Sequence, residues 1–189
     1  VNVFDWQAEF PEIFKAGGFD VVIGNPPYIR IQALKEWAPK EVEFYKNVYK
    51  SAHKGNYDIY VVFVEKGLSL LNKNGHLGYI LPNKFLSTDY GFPLREHLAN
   101  KKVLDSLIDF GHSQVFESAT TYTCLMFLNT SRPEKFKYAD IEPKNIISDN
   151  FQSNIMQSES LTATAWIFGS KESNALFDKL KIKSITLLD

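Results

Sequence analysis

Four consecutive residues, Asn25-Pro26-Pro27-Tyr28, carry the groups in this sequence that are best suited to chemistry. Each proline fixes its own φ angle and lacks a backbone N–H, so the loop offers carbonyl acceptors with few competing donors. The Asn25 side chain adds an amide oxygen acceptor, and Tyr28 adds a flat ring on which a planar molecule can stack. This combination predicts a loop that binds a planar group through the hydrogens of its amine.

Such a loop would activate a weak nucleophile. An aromatic amine, such as the exocyclic nitrogen of adenine, is a poor nucleophile because its lone pair is delocalised into the ring. Acceptors at the Asn25 side chain and the Pro26 carbonyl would hold both amine hydrogens and favour a pyramidal nitrogen, at a gain of roughly 3–4 kcal/mol by analogy with one oxyanion donor. Stacking on Tyr28, worth about 1–3 kcal/mol per base, would help to offset the cost of extruding that base from a duplex.

The position of the tetrapeptide supports this interpretation over a structural proline turn, which Asn-Pro pairs often begin. It directly follows Phe19–Gly24, a short β-branched apolar run that predicts a buried strand. Ligands of open α/β sheets bind at the carboxyl ends of the strands. The loop therefore stands where a binding site is expected.

The remaining pattern predicts an α/β fold with a mostly parallel sheet, covering helices and an antiparallel terminal hairpin. Residues 29–56 show no clean period and predict a long loop with some helix. The predicted elements after it are a helix over 57–72, a strand over 76–82, a helix over 91–100, and strands over 103–110 and 122–128.

The apolar pattern weakens after Arg132 and resumes at about Leu161. We therefore predict a catalytic region over 1–131, a linker over 132–160, and over 161–189 the start of a second region, with a helix from Ser173 to Leu180. The chain begins with Val1 and ends without a solvated tail, so we expect it to be a piece of a longer protein.

Composition limits the function without naming it. A net charge of -1 over 189 residues gives no global basic footprint, so any contact with nucleic acid must be local. A single cysteine, Cys124, excludes an internal disulfide, and the four histidines have no shared spacing suited to a metal. No apolar run is long enough to span a bilayer and no signal pattern is present, so we expect a cytoplasmic protein without a membrane partner.

The segment Phe19-Asp20-Val21-Val22-Ile23-Gly24-Asn25-Pro26-Pro27-Tyr28-Ile29 resembles motif IV of the amino-methyltransferases. Its wording is closest to the gamma-class adenine-specific DNA methyltransferases of bacterial restriction-modification systems, including the single-chain type IIG enzymes. The resemblance implies the carboxyl-terminal part of a Rossmann-like class I methyltransferase sheet. It also implies S-adenosylmethionine as cofactor, double-stranded DNA as partner, and Asn25, Pro26, Pro27 and Tyr28 as catalytic residues.

Three further segments match this family and extend the resemblance over nearly the whole chain. They are Asn56 to Glu65, similar to motif V, Gly75 to Leu86, similar to motif VI, and Asp109 to Leu128, similar to motifs VII and VIII. Phe116 matches the position whose ring packs on the extruded adenine, although it is also suited to a hairpin core. Asn83 and Lys84 follow a strand end and are candidates to contact the target strand, or to be ordinary surface residues.

The resemblance also suggests cofactor contacts at Asp5, Asp58 and Tyr60. Asp5 resembles the motif III acid, although a turn aspartate is equally compatible with the pattern. Asp58 also suits the first turn of a helix for dipole reasons.

The family binds its cofactor through a glycine-rich loop after its first strand, and no Gly-x-Gly occurs in this chain. We therefore expect the isolated chain to bind S-adenosylmethionine negligibly and to be inactive alone. Three alternatives stay open: a methyltransferase acting on RNA or on protein glutamine, an inert DNA-binding module that kept the loop, and a phage-exclusion methyltransferase of similar build.

Overall fold

A computed structural model of the chain describes residues 4–53, 55–116, 121–147 and 151–169. Its centre is a six-stranded sheet in the order β1-β2-β4-β3-β5-β6. The strands are β1 Phe19–Gly24, β2 Leu71–Pro82, β3 Leu104–Asp109, β4 Thr123–Asn129, β5 Lys135–Asp140 and β6 Asn154–Gln157. The α-helices are α1 Trp6–Glu9, α2 Pro11–Lys15, α3 Ile31–Trp37, α4 Pro39–Val48, α5 Tyr60–Leu70 and α6 Phe92–Lys101.

The sheet is mixed, with most strands running in one direction. β1 pairs with β2 in parallel, and β3 pairs with β5 in parallel. β4 lies between β2 and β3 and is antiparallel to both, while β6 is antiparallel to β5. The predicted α/β class and the predicted antiparallel hairpin of β3 and β4 are confirmed.

One face of the sheet forms the core under α5 and α6. Leu77 of β2, Met126 of β4 and Leu107 of β3 are each at most 1% exposed on this face. Gly67 lets α5 approach closely, because a Cβ at that position would lie 2.6 Å from Leu77 Cδ1 and from the Tyr79 hydroxyl oxygen. The close approach of α5 to β2 fixes the position of β2, and therefore of the residues that follow its end at Pro82.

The opposite face is less covered by the described residues than the sequence predicts. Ile23 of β1 is 81% exposed, Val21 is 53% exposed, and Phe127 of β4 is 37% exposed. The prediction that Phe19–Gly24 is a buried strand is therefore wrong for this structure. β1 is an edge strand that pairs only with β2 among the described strands. Its alternate side chains Val21 and Ile23 are exposed because they lie on the face that the described residues leave uncovered.

Residues 29–56, predicted as a long loop with some helix, contain α3, α4 and a 3-10 turn over Lys50–Ala52. The helical period is hard to see because only Ile31 and Leu34 of α3 are buried and α4 buries no residue fully. Pro39 begins α4, a position where the missing N–H of proline has no intrahelical partner to lose.

Two predicted boundaries also shift. The helix predicted over 57–72 is α5 at Tyr60–Leu70, and the strand predicted over 76–82 is the longer β2, which begins at Leu71. Leu71 pairs with Phe19 before a register shift, so pairing with β1 extends the strand where the local sequence favours a turn. The other predicted elements differ from α6, β3 and β4 by one residue at each end.

The linker predicted over 132–160 is corrected by the structure, because this range supplies β5 and β6 to the same sheet. Phe136 and Tyr138 are buried in β5, although alternation with exposed lysines weakens their apolar signal. Leu161 and Trp166 are buried in the same core, and the Trp166 and Phe85 rings pack edge to face with their centroids 6.2 Å apart. The helix predicted over Ser173 to Leu180 lies outside the described residues.

Arg95 of α6 joins this downstream segment to the loop after β2. The residue is 3% exposed, and its guanidinium donates to the carbonyls of Phe85, Thr88 and Ala163. The Trp166 N–H donates to the Leu86 carbonyl at 2.7 Å and reinforces the same junction. Burial lowers the pKa of Arg95. No described helix has the length and apolar character needed to cross a membrane.

We predict that Arg95→Met lowers the free energy of unfolding by about 2–4 kcal/mol, because it leaves buried carbonyls without donors. Urea unfolding followed by circular dichroism measures this change. Glu96→Gln, an exposed neighbour on α6, is the control and should shift stability by less than about 0.5 kcal/mol. Equal effects of the two variants would contradict the assignment.

Candidate functional site

The candidate site lies along one edge of the sheet, where several strands end or begin together. Gly24, the last residue of β1, pairs with Tyr79 of β2. Pro82, at the end of β2, pairs with Thr123 at the start of β4, and Asp109, at the end of β3, pairs with Cys124. The predicted loop, the Asn83–Leu86 turn and the loop after β3 therefore leave the sheet at the same edge.

The Asn25–Tyr28 loop keeps its acceptors free of other described residues. Neither the Asn25 side chain nor the Pro26 carbonyl hydrogen-bonds to any residue in the described ranges. Asn25 is exposed while Pro26 is buried, so the loop is anchored at the proline and open at the asparagine. The buried Pro26 holds its own carbonyl in place, and the Asn25 side chain is free to turn toward a donor. Together the two acceptors can bind the hydrogens of an incoming amine.

Tyr28 is fixed at both its ring and its hydroxyl. The partly buried ring packs against the core, and the hydroxyl donates to the Ile80 carbonyl at 3.2 Å. Burial, and secondarily the neighbouring Cys124, raise the pKa of Tyr28 to about 12. The hydroxyl therefore stays protonated at neutral pH, and the residue contributes a held ring rather than an acid or base.

Asn83 uses its side chain within the protein. Its Nδ2 donates to Asp109 Oδ1 at 2.8 Å and to the Gly111 carbonyl at 3.1 Å. Asp109 Oδ1 also accepts from the Gly111 N–H at 3.0 Å. Asn83 thus joins the end of β2 to the end of β3. Because both amide hydrogens are used within the protein, neither is free to donate to DNA, and the predicted contact stays a prediction. Lys84, the next residue, is exposed.

The edge beside β3 carries acidic groups. Asp109 pairs with Asp140 across β3 and β5. Burial and then the negative charge of Asp109 raise the pKa of Asp140, while His112 acts in the opposite direction. His112 contacts the Tyr122 ring at 5.0 Å, edge to face. Within the described part of the chain, no cluster of three potential metal ligands exists.

The remaining predicted residues are placed unequally. Phe116 is partly buried in the loop after β3 and therefore belongs to the site edge, although its contact with a base stays a prediction. Asp58 forms an isolated antiparallel β-bridge, a backbone pairing, with Arg30. Arg30 lies two residues after the Asn25–Tyr28 loop. Tyr60 is fully buried, with its hydroxyl 3.1 Å from that of Tyr90, so it presents no surface to a cofactor.

Asp5 is not brought to the site edge. Its Oδ1 accepts from the N–H groups of Gln7 and Ala8, which is the pattern of an N-cap at α1. The Trp6 ring that follows lies 5.9 Å from Phe19, at the opposite end of β1 from Asn25. A cofactor role for Asp5 stays a prediction that the described geometry does not support.

Sequence reasoning missed three residues of this region. Arg30 lies just beyond the loop, Tyr90 contacts Tyr60, and Tyr122 accepts from the Asn83 N–H through its carbonyl. The only available signal for Arg30 was its position two residues after Tyr28. The other two are set by tertiary contacts between distant parts of the chain.

Comparisons with known proteins agree with this arrangement. Residues 1–116 match the family described as Eco57I restriction-modification methylase. The chain is 38% identical over 167 residues to the type II restriction enzyme and methyltransferase RM.Eco57I of Escherichia coli, covering 84% of this chain and 16% of that protein. It is 31% identical over 132 residues to the type II methyltransferase M.BstVI of Geobacillus stearothermophilus, covering 69% of this chain and 22% of that protein.

Solved structures share the fold at low identity. In the cryoEM structure of a DrdV–DNA complex the match has a TM-score of 0.61 at 15% identity, covering 87% of this chain and 20% of that one. In the type IIG restriction endonuclease BpuSI the TM-score is 0.58 at 16% identity, covering 86% of this chain and 22% of that one. The chain thus spans about a fifth or less of these proteins, and it belongs to the Eco57I restriction-modification methylase family.

Proposed function

We propose that this chain is the catalytic part of a DNA methyltransferase that transfers a methyl group from S-adenosylmethionine to the exocyclic amine of adenine. The observation that carries the proposal is the pair of free acceptors, the Asn25 side chain and the Pro26 carbonyl, beside the fixed Tyr28 ring at the carboxyl edge of the sheet. Family membership and the names of the relatives support methyl transfer to DNA. The adenine target is inferred from the chemistry of the loop.

The residues of the chain act on the amine. The Asn25 Oδ1 and Pro26 carbonyl oxygens each accept one amine hydrogen and direct the nitrogen lone pair out of the ring plane. Bound S-adenosylmethionine supplies the electrophilic methyl group. Tyr28 holds the base flat, and Pro27 stiffens the backbone between acceptor and ring. The amine nitrogen, once methylated, is acidic and releases its proton without a strong base at the site.

Other features of the whole protein follow by likeness to its relatives. RM.Eco57I is named as both a restriction enzyme and a methyltransferase, and we propose the same two activities for the complete protein. A solved structure of similar fold is a DNA complex, which supports duplex DNA as partner. Action on DNA places the proposed enzyme in the cytoplasm. Asp58, beside the loop, is the proposed cofactor contact that the geometry favours most.

We predict that Asn25→Ala in the complete protein lowers kcat for adenine methylation by about 10²–10³-fold, the cost of removing one preorganised electrostatic partner. Transfer of tritiated methyl groups to duplex DNA measures the rate. Asn74→Ala, an exposed asparagine in the first half of β2, is the matched control and should leave the rate unchanged. Undiminished methylation by Asn25→Ala would refute the proposed function.

We predict different outcomes for two changes at Tyr28. Tyr28→Phe keeps the ring and loses only the bond to the Ile80 carbonyl, so kcat should fall by less than about tenfold. Because the pKa of Tyr28 is about 12, this variant should also keep the wild-type pH profile between about pH 6 and 9. Tyr28→Ala loses the stacking surface and should weaken productive DNA binding by about 5- to 150-fold. Equal losses in both variants would contradict a stacking role.

We predict that the isolated chain binds S-adenosylmethionine negligibly, because its sequence contains no Gly-x-Gly loop. Isothermal titration calorimetry checks this directly. The complete protein is the positive control. Micromolar binding by residues 1–189 alone would show that the prediction is wrong.

A further inference from the structure

Arg30 is an exposed cation directly beside the candidate site. It follows Tyr28 by two residues, so chain geometry keeps the two Cα atoms within about 7 Å. Its backbone is extended, with φ -69° and ψ 140°, and α3 begins at the next residue. The side chain therefore starts from a defined point two residues beyond Tyr28.

The backbone of Arg30 is held on both sides. The Ile31 N–H donates to the Tyr57 carbonyl at 2.9 Å, and the Ile59 N–H donates to the Ile29 carbonyl at 2.9 Å. These bonds flank the bridge between Arg30 and Asp58. Since Ile31 and Ile59 are buried, the short ladder is also anchored in the core. A rigid base limits where the flexible side chain can reach, which lowers the entropy lost when it binds a ligand.

The guanidinium of Arg30 forms no ion pair with any described residue. Asp58 is its bridge partner, and paired residues project to the same side of a ladder, yet the two side chains form no ion pair within 4.0 Å. No other described acid pairs with Arg30 either. The guanidinium is therefore available to an anion from outside the protein.

We propose that Arg30 binds a phosphodiester of the target strand next to the extruded base. This inference rests on the proposed function and extends it to a residue that positions the DNA backbone. Duplex DNA carries one negative charge per about 1.7 Å of helix axis, so a base held at Asn25 and Tyr28 brings phosphates close to the same edge. The planar guanidinium fork matches two phosphate oxygens, a geometry that the point charge of a lysine lacks.

The proposal fits the near-neutral charge of the chain. A net charge of -1 leaves no general attraction for a polyanion, so binding depends on a few cations at defined positions. Arg30 lies on the α3 side of the loop, and the exposed Lys84 lies on the side of the neighbouring strand end. A phosphate contact at Arg30 fixes the backbone beside the base and carries no sequence information of its own.

The test measures how DNA affinity of the complete protein depends on salt. Two fluorescein-labelled duplexes of equal length are titrated by anisotropy at roughly 50 to 300 mM KCl, a range in which counterion release is readily measured. One carries the sequence that the wild-type enzyme methylates, and the other is unrelated in sequence. We expect Arg30→Gln to reduce the magnitude of the log K against log salt slope by about 0.9 and to weaken both duplexes about fivefold near 0.15 M salt. Arg30→Lys should restore the slope and only part of the affinity.

Arg132→Gln is the matched control, because Arg132 is an equally charged, exposed residue just beyond the end of β4, at the opposite edge of the sheet. It should leave slope and affinity unchanged. An unchanged slope in Arg30→Gln, or a loss confined to the target duplex, would overturn the phosphate assignment while leaving the proposed function intact. Absence of adenine methylation by the wild-type protein would overturn both proposals together.

Discussion

The parallel pairing of β1 with β2 is the constraint on which the candidate site depends. Gly24, the last residue of β1, pairs with Tyr79, and this pairing fixes where the Asn25–Tyr28 loop begins. A Cβ at Gly24 would lie 3.1 Å from the Tyr79 ring, which shows how closely the strand end approaches its neighbour. The Tyr28 hydroxyl then returns to β2 at the Ile80 carbonyl. Both ends of the loop are therefore held by β2, the first through strand pairing and the second through the Tyr28 hydroxyl.

Polar groups along this edge fall into two kinds. Asn83, Asp109 and Gly111 satisfy one another and join the ends of β2 and β3. The acceptors of Asn25 and Pro26 have no such partner among the described residues. The satisfied network joins the strand ends beside the loop, while the two acceptors stay available to an external donor. In the proposed function, these acceptors would favour the transition state in which the amine becomes a nucleophile.

This edge of the sheet also depends on residues that come after 1–116, the range that the family model matches. The family match covers residues 1–116, but Ala163 and Trp166 contact the loop after β2 through Arg95 and Leu86. β5 and β6 extend the same sheet beyond β3. The described residues up to Gly169 thus form one core with the site, and the buried Arg95 is the polar junction between them.

The sequence alone determined the features that depend on local pattern. The β-branched run before Asn25, the glycine and prolines that end it, and the apolar period of α5 predict the first strand, the loop and the first covering helix, because these signals lie within a few residues of each other. The resemblance to the amino-methyltransferases rests on the same local residues. These were sufficient to locate the candidate loop at the carboxyl end of a strand.

Only the tertiary structure decided which side chains are free and which are used. Tyr60 and Asn83 look alike in the sequence as polar residues near motif positions, yet one is buried against Tyr90 and the other is bonded to Asp109. The range 132–160, predicted as a linker, forms two strands because pairing of β5 with β3 and of β6 with β5 outweighs weak local propensity. Burial and hydrogen bonding are set by contacts between residues far apart in the chain, and no local pattern encodes those contacts.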